Sequence, residues 1–333
     1  MMDYLEEDLY ILSDYLSDFS GSTILVTGAT GLIGSIVIKA LQRCRKISII
    51  GLARSSQKVE SIFPNKDNIT FLYQDISAPI TTRIKCDYII HTATPTVSKY
   101  FMSNPVEVMD NIYSGTKQML EYAKINSVKG MVYLSSMEAF GVVKDDKRLE
   151  ESELGYIDIQ NIRSCYSEGK RHAELLCKCY AVEYGVNVCI ARLSQTFGAG
   201  IMPTENRVFA QFARSALRGE DIVLHTKGQS VGNYCYTRDA VKALFLLLKK
   251  GEKGQVYTVV NEETTRTIAE LAEMVANILS GHRSKVVFDI PEGNQYGYAP
   301  ETKLRLSGEK LRALGWKPEV GLEDMFRRMA PYL

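Results

Sequence analysis

The sequence lacks any apolar run near the roughly 20 residues that a membrane-spanning helix requires. Val241 to Leu248 is among its longest, and Lys242 interrupts it. It also lacks a charge bias. Forty Lys and Arg stand against 39 Asp and Glu, a formal net charge of +1, which offers no general attraction to nucleic acid or to an anionic membrane surface. A cysteine framework is missing as well: the seven thiols at Cys44, Cys86, Cys165, Cys177, Cys179, Cys189 and Cys235 are odd in number and scattered, the pattern of reduced cysteines. Cys177-Lys178-Cys179 has neither zinc-type spacing nor a second pair, so no metal site is expected. There is no internal repeat and no low-complexity linker. Met1 to Tyr10 is acidic rather than basic and then apolar, unlike a secretory signal. These absences lead us to expect a cytoplasmic protein without nucleic-acid or membrane partners. A small anionic ligand stays open, because it needs only a local patch.

What is present begins with Thr23 to Gly34, T-I-L-V-T-G-A-T-G-L-I-G, in a chain of 333 residues with 45% hydrophobic content. An apolar run stops at Thr27 and Gly28, and an apolar helical pattern follows from Ile36 to Leu41. That is strand, tight turn, helix. Such a turn aims backbone N–H groups and a helix N-terminus at one spot, which suits a pyrophosphate. Gly28 supplies the turn, Gly31 the approach of backbone to phosphate, and Gly34 the packing of helix on strand. Thr30, Leu32 and Ile33 fill the rest of the turn. The spacing is G-x-x-G-x-x-G, not the usual G-x-G-x-x-G, so the rest of the chain must show whether a dinucleotide belongs there.

A second strand, Ile47 to Ala53, ends on Arg54-Ser55. NAD sites usually place Asp or Glu at that point, whereas Arg pairs with the 2′-phosphate of NADP, so NADP is favoured over NAD. A third strand, Thr70 to Gln74, ends at Asp75-Ile76, a carboxylate and an apolar neighbour placed to flank an adenine. A fourth, Asp87 to His91, runs into the small residues Thr92-Ala93-Thr94, with Asn111 on the helix beyond. His91 is read as structural rather than as a general base. Strand five, Met131 to Leu134, delivers Ser135-Ser136-Met137-Glu138 to the end where ligands bind in a parallel sheet. Tyr166 and Lys170 then share one face of a helix that opens at Cys165. A sixth strand, Asn187 to Arg192, follows.

From about residue 194 the alternation stops, with helices expected over Val208 to Arg218, Tyr234 to Leu248, 267–279 and 307–314, and a strand over Val256 to Val260. Residues 3–19 carry Leu5, Leu9, Leu12, Leu16 and Phe19 at helical spacing and are expected to pack on the domain as an amphipathic helix. The expected fold is α/β: a Rossmann-type doubly wound parallel sheet with a smaller α/β substrate-binding lobe built from C-terminal segments. The expected boundaries are 1–20 for the N-terminal helix, 21–193 plus 234–262 for the dinucleotide-binding domain, and 194–233 plus 263–333 for the smaller lobe.

With these residues in hand, the chain resembles the extended short-chain dehydrogenase/reductase family, in particular its nucleotide-sugar epimerase, dehydratase and UDP-glucuronate decarboxylase branch. The likeness runs from residue 22 to about 330. It is carried by T-G-A-T-G-L-I-G at 27–34, Y-L-S-S-M-E-A-F-G at 133–141, Y-S-E-G-K at 166–170, A-R-L-S-Q-T-F-G at 191–198 and L-G-W-K-P at 314–318. The resemblance implies that Ser136, Tyr166 and Lys170 are catalytic and that Glu138 assists, as the matching acid does in 4,6-dehydratases and decarboxylases. Met137 stands where dehydratases carry Asp, and C-Y-S-E-G-K-R looks like the decarboxylase form. The implied substrate contacts are Ser98, Ser136, Gln195, Asn206, Arg207, Val208, His225 and Arg305. Gln195 replaces a frequent Asn, and Gly232 replaces an Arg used on a phosphate, leaving Arg207, Arg238 or Arg305 as substitutes. The family commonly dimerises through two helices, here around residues 103–124 and 166–184.

A free tyrosine titrates near about 10 and is a poor base at neutral pH. The ammonium of Lys170 and a positive nicotinamide are expected to favour the phenolate. Tyr166 would then remove a sugar hydroxyl proton while Ser136 hydrogen-bonds the same oxygen. The leading expectation is NAD(P)-dependent modification of a nucleotide-diphosphate-linked sugar. The rival, prompted by Arg54, is an NADPH-dependent reductase of a nucleotide-linked keto-sugar or ketose, CDP-linked ones included, in surface-polysaccharide synthesis. A non-enzymatic, redox-sensing binder is the third reading, and the intact Ser/Tyr/Lys set argues against it.

Overall fold

The computed structural model describes residues 3–80, 85–143, 145–292 and 301–333. Residues 1–2, 81–84, 144 and 293–300 of the expected segments lie outside the described residues. Helix α1 (Tyr4–Ser13), capped by the Asp3 carboxylate, precedes β1 (Thr23–Thr27), α2 (Leu32–Gln42), β2 (Ser48–Ala53), α3 (Ser56–Ile62) and β3 (Ile69–Tyr73). The chain continues through β4 (Tyr88–His91), α4 (Ser98–Ser103), α5 (Pro105–Ile125) and β5 (Gly130–Ser136), then a 3-10 turn over Met137–Phe140. Next come β6 (Arg148–Leu149), α6 (Ser164–Glu183), β7 (Val188–Leu193), β8 (Gln195–Phe197), α7 (Val208–Arg218) and β9 (Ile222–Leu224). The last part holds β10 (Val231–Tyr236), α8 (Thr237–Lys250), β11 (Val256–Val259), β12 (Asn261–Thr267), α9 (Ile268–Ser280), β13 (Val286–Phe288), β14 (Arg305–Leu306), α10 (Glu309–Ala313) and α11 (Leu322–Met329).

Seven strands form one parallel sheet in the order β11-β7-β5-β4-β1-β2-β3. The inner strands are apolar runs because both faces are covered, while the edge strand β3 keeps Thr70 and Tyr73 exposed. On one face α1, α2 and α8 bury Leu12, Val37, Leu41 and Leu244. On the other, α5 and α6 bury Ile112, Met119, Ala173 and Cys177. That is the doubly wound arrangement expected from the sequence. A separate apolar cluster joins α7, α9 and α11 around Phe209, Leu271 and Phe326. No helix among the described residues is long and apolar enough to cross a membrane.

Two expectations are corrected, and two elements were not anticipated. Tyr234, Cys235 and Tyr236 do not open a helix: they lie in β10, parallel to β8 and antiparallel to β12, and α8 starts at Thr237. The polar run of β12 has no apolar alternation to reveal it, since backbone pairing with β10 holds it. Helix α11 was not foreseen, although Met325, Phe326 and Met329 are fully buried. The expected helix over 3–19 ends at Ser13, with a 3-10 turn over Ser17–Phe19, and its apolar residues pack on the sheet cover as expected.

Candidate active site

Strand order reverses between β1 and β4, and ligands of open α/β sheets bind outside the carboxyl ends of the strands at such a point. Gly28 follows β1 with φ +65, and a Cβ there would stand 2.5 Å from Thr92 Oγ1 and 2.9 Å from Ala93 N. A Cβ on Gly34 would run into Gly28 O and lie 2.9 Å from Gly28 C. Gly31 is the N-cap of α2, and no side chain caps that terminus. Thr30, Leu32 and Ile33 line the same half-buried turn. A cradle that only glycine permits, beside an uncapped helix N-terminus, fits a dinucleotide pyrophosphate.

The β4 end is rigid. Ala93 N–H donates to Thr27 Oγ1 at 3.2 Å, and Thr27 Oγ1 lies 2.7 Å from His91 Nδ1. The other ring nitrogen, Nε2, lies 3.4 Å from Thr116 Oγ1, so both His91 nitrogens face a hydroxyl. Burial pushes His91 down to about 3, so the ring is neutral, in keeping with a structural role.

Around the expected adenosine end, Arg54 is exposed just beyond β2, and Ser55 caps α3 by accepting Lys58 N–H. Asp75 accepts Ser77 Oγ–H at 2.7 Å and Ser77 N–H at 2.9 Å. These bonds, with a smaller contribution from Arg54, hold its carboxyl below the usual range. Ile76 is buried over Gly115, where an added Cβ would meet its side chain at 3.0 Å. The Asn111 amide donates to Glu107 O on its own helix.

Ser136, Glu138, Tyr166 and Lys170 come together at the ends of β5 and α6. Ser136 caps the 3-10 turn by accepting Glu138 N–H at 3.2 Å. Tyr166 is buried, and its ring stacks on Phe101 with centroids 4.4 Å apart. Burial, then the Glu138 carboxylate, push the phenol above its ordinary range, while Ser136, Arg207 and Arg163 act the other way. Lys170 Nζ donates to Leu134 O at 2.7 Å and to Thr94 Oγ1 at 3.0 Å. Burial lowers Lys170 to about 7, opposed by Glu174. Glu174 is clamped by Arg192 and accepts Ser135 Oγ–H, tying α6 to β5 and β7.

Glu138 is not open to substrate alone. Arg163 donates to both of its oxygens, at 2.7 and 3.0 Å, and Ser167 Oγ adds a third bond. Sequence reasoning missed Arg163. The one signal was a cation three residues before Tyr166, which has no meaning until the turn after β5 is placed beside it.

The expected substrate contacts divide. Arg207, at the N-cap of α7 and next to Val208, acts on Tyr166 but is held by Glu205 through bonds of 3.0 and 2.8 Å. Exposed Asn206 donates its N–H to Glu205. Ser98 opens α4 and is exposed, Gln195 is half-buried in β8, and His225 Nδ1 lies 2.9 Å from Asp289 O. Arg305 pairs with Asp146 and lines a cavity of about 340 Å³ with Gln229, Val231, Lys303 and Glu301. Arg238 is neither a surface residue nor a spare cation: it is buried against Asp8 and Glu319. Gly232 sits at a register shift in β10, with only Tyr234 within 4 Å of an added Cβ.

The profile of the NAD dependent epimerase/dehydratase family matches residues 24–261. UDP-glucuronic acid decarboxylase 6 of Arabidopsis thaliana is 29% identical over 316 residues, covering 92% of this chain and 87% of the relative. Among solved structures, the UDP-glucose 4-epimerase of Thermotoga maritima with UDP-glucose superposes with a TM-score of 0.81 at 24% identity, over 93% of this chain and 98% of that one. The Thermus thermophilus UDP-glucose 4-epimerase complexed with NAD gives 0.77 at 24% identity with the same coverage.

Proposed function

The chain belongs to the NAD dependent epimerase/dehydratase family, and from that premise we propose that it modifies a nucleotide-diphosphate-linked sugar by oxidising one of its carbons at Tyr166. The observation that carries this is the gathering of Ser136, Tyr166 and Lys170 at the end of β5 and the start of α6, with Lys170 bonded to Thr94 beside the strand end that walls the glycine turn.

The bound nicotinamide supplies a hydride acceptor and a positive charge. Tyr166 Oη takes the proton of the sugar hydroxyl, and Ser136 donates a hydrogen bond to the same oxygen as charge develops on it. Lys170 anchors the Tyr166 face of α6 to β5 and orients Thr94. Glu138 lines the sugar side. Met137 offers no proton to a departing hydroxyl, which favours epimerase or decarboxylase chemistry over loss of water. Lys303 and Arg305 line the cavity beside Gly232 and supply positive charge for the diphosphate. A homodimer through α5 and α6 is supported by exposed Val106, Met109 and Tyr113 on one helix and Leu175 and Val182 on the other.

Arg54 supports the second reading, an NADPH-dependent reductase of a nucleotide-linked keto-sugar. Incubation with UDP-, dTDP-, CDP- and GDP-sugars, with products identified by NMR, separates the two. Turnover without added reductant is expected for a self-contained cycle. Turnover only of keto-sugars with NADPH would replace it by the reductase.

A further inference from the structure

Arg163 stands immediately before α6, three residues ahead of Tyr166. Its fork meets both oxygens of Glu138 at 2.7 and 3.0 Å, and the two side chains are only 17% and 26% exposed. Its guanidinium carbon lies 5.7 Å from the centre of the Phe101 ring, the ring that stacks on Tyr166. Glu138 in turn shares the Ser136 cap. The carboxylate bears on Tyr166 while its backbone N–H holds Ser136, and an unpaired negative charge there would oppose the phenolate that the reaction needs. A bidentate arginine fixes such a carboxylate in direction as well as in charge.

We propose that Arg163 is a positioning residue: it aims Glu138 along the wall of the sugar site and cancels the carboxylate's field at Tyr166. This rests on the nucleotide-sugar reading above. The groups that bear on the Tyr166 phenol are Glu138 from the turn after β5, Ser136 and Tyr133 on β5, Arg163 just before α6, Lys170 on α6, and Arg207 at the start of α7. Only Arg163 is locked to the opposing carboxylate.

The test uses NAD-loaded wild type, Arg163→Gln, Arg163→Lys, Glu138→Gln and the Arg163→Gln/Glu138→Gln double variant. The pH profile of cofactor reduction is read with whichever nucleotide-sugar the wild type oxidises. Arg163→Gln is expected to move the acid limb up by about one pH unit or more, with KM for NAD unchanged, and the charge-neutral double variant to move it back. Arg163→Lys should fall between them, and it carries the same readouts if Arg163→Gln does not fold. Equal loss of rate at every pH, with the limb in place, would mean a structural role only and would overturn the proposal. If the wild type oxidises none of the sugars, the functional reading fails on its own. The crystal structure of Arg163→Gln then decides: Glu138 turned away from Ser167 supports the positioning role, and Glu138 unmoved overturns it.

Discussion

Lys170 reaches past Tyr166. Its Nζ donates to Leu134 O at 2.7 Å and Thr94 Oγ1 at 3.0 Å, while the centre of the Tyr166 ring lies 5.8 Å away. Of the groups that favour the phenolate at Tyr166, Ser136 acts most strongly, and Lys170 is not among them. Lysine thus braces α6 against β5 and the residues that follow β4.

Tyr166→Phe should keep the ring on Phe101 and lose the proton acceptor. Hydride transfer is expected to fall by about 10²- to 10⁴-fold, the usual contribution of a general base, with the thermal midpoint nearly unchanged. Nicotinamide absorbance in a single turnover measures the first quantity and a melting curve the second. A rate within a few-fold of wild type would remove Tyr166 from the chemistry.

Burial lowers Lys170 from 10.5 to about 7. Between those values the unfolded chain binds the proton that the native protein gives up, so stability rises with pH across the window. Below it, the lysine is charged in both states and the burial cost is present in full. Lys170→Met should therefore gain on the wild type as pH falls from about 10 to about 6, by roughly 2–4 kcal/mol over the window. Urea unfolding at several pH values measures this, and parallel stability curves would count against a depressed Lys170.

Gly34→Ala would push a methyl into Gly28 O, backbone that cannot turn aside. Overpacking of this kind costs about 1–3 kcal/mol. Lower stability and weaker dinucleotide binding are expected together, by calorimetry on one preparation. Full binding with an unchanged melting point would show that α2 can shift.

Arg54→Ala should weaken NADP(H) by about tenfold or more, the worth of a charge-assisted bond to phosphate, and leave NAD(H) where it was. Titrating both cofactors by fluorescence reads the difference. Equal loss for the two would mean that Arg54 does not read the 2′-phosphate.

Much of this was legible in the sequence, for reasons that differ by element. The inner strands of the large sheet are covered on both faces and so read as apolar runs. Gly28 and Gly34 stand out because a side chain would collide at each. Tyr166 and Lys170 announce themselves through helical spacing, and Ser136 through its place at a strand end. Arg163 stayed hidden, because its partner is 25 residues away in sequence and meets it only once the turn after β5 is formed. Arg238 read as a substitute cation for the phosphate, because the carboxylate that holds it, Asp8, comes from the other end of the chain. Strand β12 is polar, and its partners, such as the Tyr234 backbone that Thr264 Oγ1 bonds, are set only by the folded chain.

Helix α1 has a consequence for the order in which the molecule assembles. Asp8 accepts from Tyr236, which lies 228 residues later, and pairs with Arg238 and Arg328, while Tyr332 bonds Leu5 N–H and Asp3. None of these partners exists near α1 while the first strands are being made, and contacts so distant in sequence form slowly. Contacts with the neighbouring α2, the Glu6–Arg43 pair among them, can form early, and the bonds to the far end of the chain complete the seat of the helix last. In pulsed hydrogen exchange its amides would gain full protection after those of β1 and β5.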